Sequence, residues 1–381
     1  MFKFKEYRFR YYNIRLILFI LSLAVIGVLF VKSATIGTGN DTYNKQIFGV
    51  VLGFACMLFV SIVDYHWVLM LYWPLYAVNI AILLATKFMG TSGGGAQRWL
   101  VLPVIGNIQP SEFSKILMIC FFATFFYKHR EKISSVQIVS ASLILFAVPA
   151  YLIFDQPNLS TTLVVTFIFL AMLYVAKISY KWILGALGVL VPAGVWFIYY
   201  IQQEGQKLLE PYQVNRIMSW VNPSKYSADT TQQQSNSIMA IGSGQLRGKG
   251  LANTTLASVK NGNFLSEEDT DFIFAVIGEE VGFIGSVIII GLLALLVAEC
   301  IYMAARAKDM QGRLICSGMA ALIAVQTFVN IGVATGLLPN TGIPLPFISA
   351  GLSSLLSIFI GMGLVLNVGL QRNYENNRGG F

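Results

Sequence analysis

Charge is what this chain has least of. Asp, Glu, Lys and Arg together make up 12% of its 381 residues, about half the share of a soluble domain. With 56% apolar residues and a mean hydropathy of +0.68, so little charge argues against a soluble protein folded on one core. Histidine is scarcer still. His66 and His129 are the two, both in expected cytoplasmic turns, which argues against a histidine-based metal site. The four cysteines, Cys56, Cys120, Cys300 and Cys316, lie in or beside apolar runs without CxxC spacing. They read as small packing residues. No low-complexity tract or internal repeat stands out, which weakens transporter readings built on inverted repeats.

Long apolar runs are present in quantity, many of about 18 residues or more, enough to cross a hydrocarbon core of ~30 Å as a helix. Ten spans are expected, near 15–34, 46–63, 67–87, 111–127, 136–154, 159–176, 181–201, 272–303, 314–337 and 348–370. The net charge is +8. In a soluble protein that would suggest nucleic acid, but here the basic residues cluster in short connections: KHREK (128–132), KISYK (177–181), ARAKDMQGR (305–313) and the tail. This is the positive-inside pattern, and it places both termini in the cytoplasm. The basic N-terminus runs into an apolar stretch too long for a cleaved signal and reads as a retained first span. The fold class is therefore all-α and polytopic, a single integral membrane domain over 1–381. Its large extracytoplasmic loop, 203–271, joins spans seven and eight.

Five polar stretches on the outer side could carry chemistry. TDFIFAVIGEEVGFIG (270–285) opens an apolar run with Asp271 and encloses Glu279 and Glu280. Asp271 is either a helix cap, a role open also to Thr270 or Asp269, or a partly desolvated general base. On one continuous helix Glu279 lies about 80° from Asp271 and Glu280 about 180°. Glu279 then shares the cavity of Asp271, and Glu280 pairs with a neighbouring helix. In IQPSEFSKI (108–116) Ser111 can cap, and Glu112 and Lys115 stand three apart and can pair. Upstream, TSGGGAQRWL (91–100) offers backbone freedom, Arg98 for a phosphate, and Trp99 as a substrate contact or an interfacial anchor. AIGSGQLRGKGL (240–251) fails the Walker A pattern, since Gly follows Gly-Lys. It reads as a flexible basic loop, with Arg247 and Lys249, near an anionic head group. Finally LLPNTGIPLPFISAGLSSLLS (337–357) breaks the helix with three prolines, which at membrane depth requires a cavity wall. Together these fit the handling of an anionic, lipid-borne substrate, and do not separate an enzyme from a carrier.

In order along the chain, GGGAQRWL, IQPSEFSKI, PYQVNRIMSW, AIGSGQLRGKGL, TDFIFAVIGEEVGFIG and LLPNTGIPLPFIS resemble the SEDS family, the RodA/FtsW/SpoVE group of shape, elongation, division and sporulation proteins. TGIPLPF leans toward RodA. The resemblance implies an inverting peptidoglycan glycosyltransferase of the bacterial plasma membrane that polymerises lipid II with a class B penicillin-binding protein as partner. Nucleic acid has no place in that reading. The resemblance puts the essential aspartate at Asp271 and substrate contacts at Arg98, Trp99, Glu112, Lys115 and Arg216. It implies a divalent cation, Mg or Mn, with no ligand set in view. A flippase for lipid-linked precursors is the rival reading. Asn158 and Ser160 replace the family's usual Asp and Gly, and Ala350, Gly351 and Leu352 its usual Tyr-Gly-Gly, which puts any role of those positions in doubt.

Overall fold

The computed structural model describes residues 7, 12–36, 41–93, 96–102, 106–156, 158–201, 203, 214, 217–218, 220, 228–253 and 267–371. Helices lie at all ten positions where the sequence leads one to expect spans. They are α1 (Ile14–Ala34), α2 (Thr42–Ile62), α3 (Tyr65–Met70), α4 (Tyr72–Met89), α5 (Pro110–Lys128), α6 (Val136–Asp155), α7 (Leu159–Val175) and α8 (Tyr180–Ile201), followed by α9 (Ala228–Ser243), α10 (Ile273–Ala305), α11 (Met310–Ala334) and α12 (Leu352–Leu370). Among the described residues six of them, α1, α2, α6, α10, α11 and α12, are at once long and apolar enough to cross a membrane. The third expected span is interrupted at Leu71, between α3 and α4.

Side-chain oxygens start many of these helices. Asn13, Ser135, Asn158 and Asp309 each accept a backbone N–H in the first turn of α1, α6, α7 and α11, satisfying one of the amides a helix start leaves unpaired.

Burial separates the centre from the rim. In α12, 89% of the most apolar stretch is buried, against 28% in α2, α6 and α10. The peripheral helices instead expose large apolar side chains such as Phe48, Phe59, Ile144 and Ile288. So much exposed hydrocarbon on regular helices is the surface a lipid bilayer covers. α12 packs on α2 and α5, and α11 on α10, α7 and α5. Small residues allow this closeness, as expected between membrane helices. A β-carbon on Gly53 of α2 would meet the Phe359 ring of α12 at 2.3 Å, and one on Gly363 would meet the Met57 carbonyl at 2.7 Å.

Two elements depart from a purely helical expectation. The glycine-rich loop before α5 is a short antiparallel meander, β1 (Thr91–Gly93), β2 (Ala96–Leu102) and β3 (Gly106–Ile108), in the order β1-β2-β3. Within the long loop 203–271 stands the 16-residue helix α9. Its Ser237 and Gln234 donate to the carbonyls of Ala334 and Val333 at 2.8 Å, in the last turn of α11, where carbonyls lack the helix's own i+4 partners.

The bundle has two chemically distinct ends. At one, Asn13 donates to Glu299 at 2.6 Å, Gln371 to Asp64 at 2.8 Å and Tyr65 to Asp309 at 2.9 Å. This end carries the basic connections 128–132, 177–181 and 305–313. The meander, the start of α5, α9 and the turn before α10 gather at the other end.

Candidate functional site

The polar end is organised by the segment 338–351, between α11 and α12. Its prolines and glycines keep it out of helix, with left-handed backbone at Gly342 (φ 69°) and Phe347 (φ 64°). Buried without a ladder of its own, it must find outside partners for its backbone. Asn330 of α11 donates to Ile343 O at 2.7 Å. Gln46 of α2 reaches Ser349 O at 3.4 Å, and Ser160 of α7 donates to Thr341 O.

That segment holds the turn of Asp271. Ala350 N–H donates to Asp269 O at 2.8 Å, and Ser349 Oγ to Thr270 O at 2.6 Å. Asn330 Nδ2 donates to Asp271 O at 2.8 Å, the same amide that holds Ile343. Three successive carbonyls, 269 to 271, are thus fixed from outside. Asp271 itself is half-buried. It does not begin the helix as the sequence had allowed. The N-cap position falls on Phe272, which makes no side-chain capping bond. Because Asp271 precedes the helix, the 80° and 180° phases measured from it do not describe its direction. Asp269, weighed only as a cap, is the other acid of this turn. Burial pushes its carboxyl above the ordinary range, and bonds from its own backbone N–H and the Thr42 hydroxyl pull it partly back.

Glu112 and Lys115 form the ion pair their spacing suggested, Nζ to Oε2 at 2.7 Å, with the two residues 3% and 1% exposed. Ser111 is not the cap of α5. Gln109 holds that position and Pro110 follows as the first helical residue, where its fixed φ and missing N–H are harmless. Ser111 Oγ instead accepts from Asn158 Nδ2 at 3.4 Å. Asn158 caps α7 through Thr161 N–H at 3.2 Å, a role Asn and Asp perform equally well. Gln109 N–H donates to Ser353 Oγ at 2.9 Å, which ties α5 to the start of α12.

Arg98 and Trp99 lie on β2, and both are half-exposed. Arg98 Nε donates to Gln156 O at 3.2 Å, anchoring the meander on the α6–α7 turn. The backbone of Trp99 pairs with Thr91. Arg216 lies outside the described residues.

The stretch 240–251 is a packed clasp rather than a flexible loop. It grips α10 where Gly282 (φ 63°, ψ −163°) breaks the helix. The break frees two N–H groups, and the clasp takes them: Phe283 N–H to Gln245 O at 2.8 Å and Ile284 N–H to Leu246 O at 3.2 Å. In return Lys249 and Gly250 N–H groups bond to the carbonyls of Glu279 and Glu280 at 2.9 and 3.0 Å. Lys249 Nζ meets the 2%-exposed Glu279 at 2.7 Å, and Ser243 Oγ lies 3.5 Å from the same oxygen. Glu280 turns to α1, where Ser33 donates to it. Arg247 is exposed on the clasp.

Sequence reasoning missed Asn330, Ser349 and Gln46 as positioning residues. Asn330 carried a signal, as a polar side chain inside an otherwise apolar run, whereas Gln46 opens the second span beside Asn44 and Lys45 and Ser349 lies in the proline-broken stretch; the three are 1%, 2% and 2% exposed in the order Asn330, Gln46, Ser349. Buried amides and hydroxyls need partners. For a metal the described residues offer no group of three or more His, Cys, Asp or Glu side chains. They therefore do not supply a ligand set for the cation that the resemblance implies.

A helical bundle sheathed in exposed hydrocarbon, with buried charges and broken backbone collected at one end, defines a multi-pass membrane protein with a polar site at its surface. Comparison with known proteins narrows this. The model of the FtsW/RodA/SpoVE family of cell cycle proteins matches residues 14–374, and the chain belongs to that family. It is 33% identical over 362 residues to the peptidoglycan glycosyltransferase MrdB of Escherichia coli K12, covering 94% of this chain and 93% of that one. Stage V sporulation protein E of Bacillus subtilis is also 33% identical, over 95% of this chain and 98% of its own. Among solved structures, a chain of a peptidoglycan synthase complex coordinating polymerization and crosslinking matches with TM-score 0.75 and 27% identity, over 94% and 97% of the two chains. Thermus thermophilus RodA, a rod shape determining protein, shares the fold with TM-score 0.68 at 24% identity, over 94% and 96%.

Proposed function

We propose that this chain is a peptidoglycan glycosyltransferase that polymerises lipid II on the outer face of the bacterial plasma membrane. The observation that carries the reading is the fastening of the Asp271 turn. A carboxylate held half-buried at the end of the bundle, its turn fixed at three consecutive carbonyls, is what a general base requires: a set position and partial removal from water.

In this mechanism the C4 hydroxyl of one sugar attacks the anomeric carbon of the other substrate. Asp271 accepts the hydroxyl proton as the new β-1,4 bond forms with inversion, and undecaprenyl pyrophosphate leaves with the bonding electron pair. Arg98, Arg216 and Arg247 offset charge gathering on the leaving group. Lys115 and Lys249 contribute to the extent that their pairs with Glu112 and Glu279 open, because each is neutralised at 2.7 Å. Trp99 flanks Arg98 on β2 as a further substrate contact. A divalent cation belongs to the proposal as an assay requirement, and no step is routed through it.

Both termini lie in the cytoplasm in this reading, because the basic connections share the end where Asn13 and Gln371 stand. A class B penicillin-binding protein is the proposed partner, in keeping with the synthase complex among the structural relatives.

The test uses purified wild type and Asp271→Asn in detergent with lipid II and Mg or Mn, with and without a class B partner. Glycan chains from wild type are expected, with a loss of at least about 10²-fold in the variant. Near-normal synthesis by Asp271→Asn would remove the base assignment. The broken helix at Gly282 and the segment 338–351 also suit a carrier. No chains from wild type, with lipid II translocation in liposomes, would transfer the reading to a flippase.

A further inference from the structure

We propose that the basic end of the bundle holds a binding site for the phosphate of an anionic phospholipid headgroup. Three separate turns, α5–α6, α7–α8 and α10–α11, enclose a cavity of about 550 Å³ there. Arg130, Lys177, Lys308 and Arg313 line it, and all four are exposed. Two acids share the lining. Asp309 is engaged by His66 Nε2 at 2.6 Å and by the N–H of Gly312 at 2.7 Å. The four cations therefore outnumber the two acids of the lining, Asp309 and Glu131. Below the charged rim the wall includes buried Ile133 and Ala176, a polar-over-apolar profile that matches a headgroup and the start of its acyl chains.

Basic loops alone are general on the cytoplasmic side of membrane proteins. A concave site that draws cations from positions 130, 177, 308 and 313 into one space is more specific, and cavities of this kind between helices recognise lipid phosphates. The backbone adds a second observation. Lys177 closes α7 with φ 64°, its N–H bonded to Tyr174 O at 3.0 Å and that of Ile178 to Leu173 O at 3.3 Å. Helix ends usually give this left-handed position to glycine or asparagine. The chain keeps a strained lysine there, where its ammonium lines the cavity. The proposal stands apart from the glycosyltransferase reading, since it uses none of the residues of the opposite end.

Native mass spectrometry of the full-length protein in detergent tests it, with phosphatidylglycerol against phosphatidylcholine. Wild type is expected to retain the anionic lipid. Lys177→Gln with Arg313→Gln should weaken retention roughly 30-fold, at about fivefold per cation removed. Lys132→Gln with Lys181→Gln removes two cations that do not line the cavity, and its loss should fall well short of that of the cavity pair. Equal losses in both double variants, or no loss in either, would overturn the site. Lys177→Gly guards against misfolding, because it removes the charge while relaxing the backbone. It should bind lipid more weakly and melt no lower than wild type; undiminished binding would count against the site. Displacement of the lipid by millimolar inorganic phosphate would reassign the cavity to a soluble phosphate and overturn the lipid assignment.

Discussion

Lys115 and Glu112 neutralise each other at 2.7 Å almost out of reach of water, so the pair can serve structure, chemistry or both, and substitution separates these. Removing one partner strands the other charge, which typically costs about 3–5 kcal/mol. Lys115→Met is therefore expected to lower the thermal midpoint in detergent sharply. Replacing both, as Glu112→Leu with Lys115→Met, removes the stranded charge and should recover most of that loss. If the double variant regains stability yet makes no glycan, the pair takes part in the reaction. If it regains both, the pair is structural and its place among the substrate contacts falls. At this scale the sequence was legible where spacing alone decides the contact. Glu112 and Lys115 pair because three residues bring side chains onto one helical face, and Glu280 finds its partner on α1. It misled where the exact start of a helix mattered. Ser111 stands two residues beyond the cap, Gln109, and Asp271 precedes the helix on which its phase to the two glutamates is reckoned.

The eighth expected span shows what an element can hide. α10 runs from Ile273 to Ala305 but is broken at Gly282, where φ 63° and ψ −163° suit glycine alone. A β-carbon at Gly282 would meet Gly248 N at 2.4 Å, so Gly282→Ala both strains the backbone and lifts the clasp. The expected loss is at least about 1–3 kcal/mol, with faster amide exchange at Gly248, Lys249 and Gly250. An unchanged melt with the clasp still protected would show that the break is not held by this contact. A milder outcome is expected at α9. Ser237→Ala removes the fully buried bond to Ala334 O and should cost about 1 kcal/mol in a chemical or thermal melt, loosening the end of α11. Neither feature stands out in an apolar profile. A break inside an unbroken hydrophobic run leaves the run intact, and α9, with Gln232 to Gln234 and little apolar content, looks like loop until its carbonyl partners on α11 are known. The strands of the meander 91–108 are hidden in the same way, because glycines that free the backbone do not announce a ladder. The long apolar helices were legible because lipid imposes its demand on every turn.

At the scale of the molecule, the end opposite the Asp271 turn is tied together by side chains from several turns, and the tie has a pH dependence of its own. His66 stands between two carboxylates, Nδ1 2.9 Å from Asp64 and Nε2 2.6 Å from Asp309. Tyr65 OH donates to Asp309 and Gln371 Nε2 to Asp64, while Lys308 and Arg313 line the same cavity as Asp309. The imidazole therefore joins the α2–α3 turn to the α10–α11 turn, with the end of α12 bound to the same cluster. Burial pulls the His66 imidazolium down, but hydrogen bonds to Asp309 and Asp64 outweigh it and leave the group above its ordinary value. Burial pushes the Asp309 carboxyl up, but His66, the Gly312 N–H and Tyr65 OH outweigh that and leave it lowered. The signs define a window. Stability from His66 is present in full below its unfolded value of about 6.5 and is lost as pH rises through the raised folded value. Stability from Asp309 is present above about 3.9 and is lost as pH falls through its lowered value. The clamp is thus strongest between roughly pH 4 and 6.5 and fades on the alkaline side. Thermal midpoints of wild type and His66→Gln, measured in detergent from acid to alkaline pH, should differ most near pH 6 and converge above it. Curves that stay parallel across that range would mean that His66 joins the turns as a neutral hydrogen-bonding ring, with no charge of its own in the clamp.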